Sequence, residues 1–175
     1  MHRLLISALA TTLAATLALP VLAQDLPKRK SGLWEINMES SNGRSKGGHE
    51  RMMTQCVDQS KDDVFRQMGQ QMERENKCTR TNVQRAGNRH SFDSACDFGN
   101  MKTTSKTVVT GDFNTAYKIE IHSRYDPPMM GLAEGTTVMN ATWVGACKAG
   151  QRPGDVTVAG GMTMNIYDMM DAKKK

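Results

Sequence analysis

Between residues 78 and 147, apolar and polar side chains alternate with a period of two, and turn residues interrupt the pattern at short intervals. Successive side chains of a pleated strand point to opposite faces, so a stretch of this kind can bury one side only as a sheet. Five segments read as strands: CTRTNVQRA, HSFDSAC, KTTSKTVVTG, TAYKIEIHSRY and TTVMNATWVGAC. Gly-Asn, Phe-Gly-Asn and Gly-Asp separate the first four, and a long Pro-Pro-Met-Met-Gly loop separates the last two. In the fourth, Tyr117, Ile119, Ile121 and Tyr125 share a face, and Lys118, Glu120, His122 and Arg124 share the other. The succession predicts an antiparallel meander with one wet face.

The preceding residues extend this plan. In GLWEINMES, Trp34, Ile36 and Met38 fall on one side, and HERMMTQC can return beside it after the turn-rich SNGRSKGG, so residues 32–56 read as a hairpin. A helix is expected over 60–75. Ser60 and Asp63 have the spacing of a capping box, and Val64, Phe65, Met68 and Met72 recur on one side. Beyond Arg152-Pro153-Gly154-Asp155, a turn, VTVAGGMTMNIY reads as one short strand interrupted by Gly160-Gly161, and residues 168–175 as a frayed basic tail.

The amino terminus sets the compartment. Met1-His2-Arg3 precedes LLISALATTLAATLALPVLA, an uncharged run broken by Pro20 and ending in small residues, which is the pattern of a secretory leader. Cleavage is expected after Ala23, leaving a basic lead-in over 24–31 and a single domain over 32–167. No second apolar run approaches the roughly twenty residues of a membrane span, so the exported chain is expected to be soluble, in the periplasm or secreted.

Export changes the reading of the cysteines. Cys56, Cys78, Cys96 and Cys147 form an even set in an oxidising compartment, and none has the Cys-x-x-Cys spacing of zinc or thioredoxin-like sites. Two disulfides follow, and three pairings are open. Alternation puts Cys96 on the side of Phe92, and Cys147 on the side of Met139, Ala141 and Trp143, while Cys56 and Cys78 bracket the helix. The preferred pairing is Cys56 with Cys78 and Cys96 with Cys147, with loops that would contribute on the order of 3 and 4 kcal/mol. Such staples suit a chain with only 5 % aromatic residues.

No constellation identifies a reaction. There is no Gly-x-Ser-x-Gly elbow, and His49, His90 and His122 are far apart without metalloprotease spacing, so the expectation is that the protein is not an enzyme and has no cofactor. Methionine is the distinctive residue: of 14, all but the first fall beyond the leader, several in pairs. Thioethers suit Cu(I), which makes a methionine-rich copper-binding protein the alternative reading, with Met129, Met130, Met162 and Met164 as candidate ligands. The plainer role for Met68 and Met72 is to fill gaps in the core. A formal net charge of +5, with Arg80, Arg85, Arg89, Lys102 and Lys106 in neighbouring strands, suits an anionic envelope component better than nucleic acid, for which no aromatic-basic stacking pattern is present.

The segment SGLWEINM, the spaced cysteines, Trp143-x-Gly145-x-Cys147 and the following RPGD…GG together resemble the bacterial exported family called domain of unknown function 3617. The resemblance spans the chain beyond the leader and implies an exported protein of Gram-negative type, with no catalytic residues to carry over. The expected molecule is α+β and mainly β: an antiparallel sheet of six to eight strands, one helix and two disulfides. A curved or partly closed sheet with room for a small apolar ligand is compatible with the pattern. Its expected role is binding or structural.

Overall fold

The computed structural model describes residues 26–41 and 49–172. The expected leader, most of the SNGRSKGG loop and the last three lysines lie outside the described residues. The elements are β1 (Gly32–Ser41), β2 (His49–Val57), a 3-10 turn (Gln59–Lys61), α1 (Asp63–Glu75), β3 (Thr79–Ala86), β4 (Arg89–Asp97), β5 (Lys102–Gly111), β6 (Ala116–Met129), β7 (Leu132–Gly145), β8 (Asp155–Val158), β9 (Thr163–Asn165) and α2 (Ile166–Ala172). All nine strands join one antiparallel sheet in the order β3-β4-β5-β6-β7-β1-β2-β8-β9. The sheet is mainly β in character and open, with β3 and β9 at its edges.

The meander is present from β3 to β7, and β1 returns to pair with β7. Two details depart from the sequence reading. Gly160-Gly161 turns the chain rather than interrupting it, so the single expected strand is the β8–β9 hairpin, followed by α2 where a frayed tail was expected to begin. The Pro-Pro-Met-Met-Gly loop is also tighter than expected: β6 continues through Pro127 and Pro128 to Met129, which pairs with Leu132 around Met130-Gly131. Proline lacks the donor that a ladder needs, and the β6–β7 register shifts across that stretch.

Alternation fixes which side each residue takes. Trp34, Ile36, Val109, Tyr117 and Ala141 are buried on one face with Val57 and Phe113, and Met53, Ile119, Met139 and Trp143 pack around them. Trp34 stands opposite Trp143, with Ala141 beside both Ile36 and Tyr117. Tyr117 lies 4.9 Å from the Phe113 ring and 5.4 Å from the Trp34 ring, between centroids.

The basic lead-in is bound to this core. The Trp34 indole donates to the Lys30 carbonyl at 2.9 Å and the Trp143 indole to the Ser31 carbonyl at 3.0 Å, while the Lys30 amine lies 3.6 Å from the Trp143 ring centroid. Gly32 has a φ of +132°, and a Cβ there would strike the Gly145 carbonyl and the Trp143 indole. Only glycine fits at that crossing.

The disulfides are Cys56–Cys147 and Cys78–Cys96, with Cα separations of 5.4 and 4.0 Å, which corrects the preferred pairing. Strand order is the reason. Leu33 of β1 pairs with Cys56 on one side and with Gly145 on the other, which brings Cys147 across β1 to Cys56. Thr79 pairs with Ala95, so Cys78 meets Cys96 on the adjoining strand.

Candidate functional site: a groove beneath helix α1

Helix α1 is a strap across the apolar face, fastened at both ends. Its first end is held by Asp62. The Arg29 guanidinium donates to Asp62 Oδ1 through Nη2 at 2.6 Å and Nε at 3.1 Å, and the Arg29 backbone N–H donates to Oδ2 at 2.7 Å. Arg29 Nη1 also donates to Gln55 Oε1 at 2.8 Å. Both charged side chains are only 8 % exposed. Burial alone would lower the Arg29 pKa, but the hydrogen bond and charge of Asp62 outweigh it, leaving the value above normal. Burial likewise raises Tyr117, against the opposing charge of Arg29.

This pairing replaces the expected capping box. Asp62 occupies the N-cap position but makes no side-chain cap bond, because its carboxylate is engaged with Arg29. Asp58 instead caps the preceding 3-10 turn, accepting from the Ser60 backbone N–H at 2.9 Å.

The far end of α1 is held by the Cys78–Cys96 bridge, by an Arg80–Glu73 ion pair and by the Asp97 backbone N–H, which donates to the Asn76 carbonyl at 2.8 Å. A helix of 13 residues is about 20 Å long, and strands about 4.8 Å apart place β2 and β4 about 24 Å apart. The helix alone is shorter than that separation, so residues 58–62 before it and 76–78 after it complete the span.

Register makes the groove beneath it. Ser94, Ser105, Ser123 and Gly135 pair in one continuous row across β4, β5, β6 and β7, all on the face under α1. The neighbouring rows on that face are larger: Phe92, Thr107 and Ile121 on one side, and Cys96, Thr103 and Tyr125 on the other. The result is a transverse furrow about 14 Å long over four strands. Tyr125 closes its Gly135 end, with its hydroxyl 3.2 Å from where a Gly135 Cβ would stand.

The furrow and the underside of α1 frame an open-sided groove of about 500 Å³, within the roughly 300–1,000 Å³ of small-ligand sites. Its walls include Met72, Phe98, Met101, Ile121 and Tyr125. The serine hydroxyls on its floor do not make it polar, because Ser105 Oγ and Ser123 Oγ bond each other at 2.9 Å. Gly69 is part of the roof, and a Cβ on it would meet nothing within 4 Å.

A larger concavity of about 730 Å³ lies on the opposite face, where Asp93, Lys106, His122 and Thr136 stand in one row and Thr104, Arg124 and Glu134 in the next. Its walls are polar and carry charges of both signs, so water fills it at little cost. The apolar groove is the better candidate because water there leaves apolar walls unsatisfied.

The sequence-designated residues are distributed as follows. All four cysteines are in disulfides, so Cys147 is structural. Met129 and Met130 end the β6–β7 hairpin, whereas Met162 and Met164 belong to the β8–β9 hairpin, with β1 and β2 between β7 and β8. The four therefore lie as two separate pairs. Met72 is 57 % exposed and lines the groove rather than filling the core, which corrects the packing role expected of it; the side chains of Met68 and His49 are outside the described ones. His90 and His122 occupy opposite faces: His90 stands beside Val109 and accepts from Arg85 Nε at 3.1 Å, and His122 stands beside Lys106. Burial, then the Arg85 charge, lowers the His90 pKa. The five neighbouring basic residues do not form one patch: register puts Arg80 and Arg85 on the α1 side and Arg89, Lys102 and Lys106 on the other. No described helix is long and apolar enough to cross a membrane.

The fold and groove define the class: a disulfide-stapled, open antiparallel sheet with a tethered helix over an apolar furrow. Residues 29–147 match the model of the family described as protein of unknown function (DUF3617), and the chain belongs to that family. The match runs from Arg29, which clamps the strap, to Cys147, which closes the first disulfide. No curated protein and no solved structure matches the chain.

Proposed function

We propose that this chain is an exported envelope protein without enzymatic activity, which binds one slim apolar chain of the acyl type under α1. The observation that carries the reading is the row Ser94, Ser105, Ser123 and Gly135, because four small residues in register leave a straight trough rather than a round pocket. A linear hydrocarbon lies along such a trough and covers Met72, Phe98 and Ile121. A bulky or branched ligand would collide with the strap. Export is supported by the leader pattern and by four cysteines that are all paired.

The test is a titration with a fluorescent fatty-acid analogue in solution. Wild type and Gly69→Ala bind saturably, and Gly69→Trp, which fills the roof opening, weakens binding at least tenfold while keeping its thermal midpoint. Equal binding by Gly69→Trp refutes the groove reading. Fractionation checks export: recovery from the periplasm without residues 1–23 supports it, and recovery from the cytoplasm with the leader intact refutes it.

A further inference from the structure

The serine row continues one strand beyond the open groove in each direction. On the β3 side Ser94 pairs with Arg80, and on the β7 side Ser123 pairs with Gly135. The whole row under α1 is thus Arg80, Ser94, Ser105, Ser123 and Gly135. The three serines are the open floor, and the residues at the two ends carry walls.

Each wall has its own physical origin. The Arg80 guanidinium lies 4.2 Å from the Phe92 ring centroid and pairs with Glu73 of α1, so the ion pair ties the edge of the sheet to the strap above it. At the other end the Tyr125 ring leans from β6 onto Gly135. Its hydroxyl stands 3.2 Å, and a ring carbon 3.6 Å, from where a Gly135 Cβ would be. Tyr125 therefore lines the groove in place of Gly135, although Gly135 is level with Ser123. Glycine is what lets the ring come down to the floor there, since a side chain would lift it.

The walls set a length. Arg80 and Gly135 are four strand spacings apart, about 19 Å, and half a strand of wall at each end leaves about 14 Å open. An extended hydrocarbon with C–C bonds of about 1.5 Å advances about 1.3 Å per carbon, so the trough holds about eleven carbons. The walls also orient the chain. The Arg80 and Glu73 side chains are 45 % and 36 % exposed, so a polar head group rests at that end without losing water, whereas the tail meets an aromatic ring.

We infer that the trough is a ruler for medium-length acyl chains of about eleven carbons, and that Tyr125 is the residue that sets the limit. The inference rests on the acyl-chain reading and deepens it: a trough without end walls would hold chains of any length.

The experiment is displacement of the fluorescent analogue by saturated fatty acids of eight to sixteen carbons, kept below their micellar concentrations. In the wild type, affinity rises about fourfold for each methylene buried and stops rising near eleven carbons. Tyr125→Ala frees the floor over Gly135, one strand spacing of about 4.8 Å, and moves the break up by about four carbons. Tyr125→Phe keeps the ring and keeps the break. Ser123→Leu builds a wall one strand earlier and moves the break down by about four carbons, which tests the ruler even where Tyr125→Ala folds poorly. Affinity that climbs without a break through sixteen carbons overturns the ruler and leaves the groove standing. So does a break that stays in place in either shifted variant while the shorter chains still bind. Displacement that is equal in wild type and Gly69→Trp refutes the groove itself and the ruler with it, so the two failures are told apart.

Discussion

Replacing Asp62 by alanine removes the acceptor of the Arg29 side chain and of its backbone N–H, while the guanidinium stays in a site where it is 8 % exposed. Removing one partner of a buried pair costs about 3–5 kcal/mol, because the remaining charge is left without compensation. The two short bonds lost, at 2.6 and 2.7 Å, give the same scale at about 1.5–3 kcal/mol for each charge-assisted bond. Urea unfolding followed by Trp34 and Trp143 fluorescence measures the change, since both indoles hold the lead-in that carries Arg29. At a slope of about 2 kcal/mol/M, the midpoint falls by about 2 M with the slope unchanged. Combining Asp62→Leu with Arg29→Met removes both charges and recovers most of the loss. A fall below about 0.5 M for Asp62→Ala, or a double variant that loses as much as the single, would refute the argument that the strap is held by a desolvated pair.

Loop length ranks the two disulfides. With separations of 91 and 18 residues, the chain-entropy relation gives about 4.6 kcal/mol for Cys56–Cys147 and about 3.2 kcal/mol for Cys78–Cys96. Paired Cys→Ala variants compared by thermal unfolding should therefore show the larger fall for the first. Alkaline pH provides a third test: Tyr117 titrates above its ordinary value of 10 in the folded chain, so the unfolded chain loses that proton first. Stability from this group is complete below pH 10 and declines as pH rises further, and Tyr117→Phe removes its part of the slope in urea unfolding at stepped pH. Tyr167 is raised by burial too and contributes to the slope in the same direction.

Local features of the chain were readable without coordinates. Alternation located β1 to β7, and the turn residues between them gave the meander, because both signals act over a few neighbouring residues. Pairing between distant segments was not readable. Cys56 with Cys147 depends on β1 lying between β2 and β7, which no local pattern encodes. The groove was hidden for the same reason. Ser94, Ser105 and Ser123 each look like an ordinary polar position in a strand, and only register aligns them into a trough. Arg29 was read as part of a basic lead-in, since a lone arginine before a strand gives no sign that it will be buried against Asp62. The placement of the copper candidates was unreadable for the same reason: Met129 and Met130 sit on one hairpin and Met162 and Met164 on another, a separation that only strand order sets.

The Cys78–Cys96 bridge has a consequence for the order of events in the life of the chain. It fastens the trailing end of α1 beside the groove. While those two sulfurs remain thiols, as they do in a reducing cytosol, the helix end keeps only the Arg80–Glu73 pair and backbone bonds to hold it over the trough. The strap over the groove is thus half fastened while these sulfurs are reduced and fully fastened once they are joined. The final shape of the groove therefore dates from the oxidation of two thiols to a single cystine.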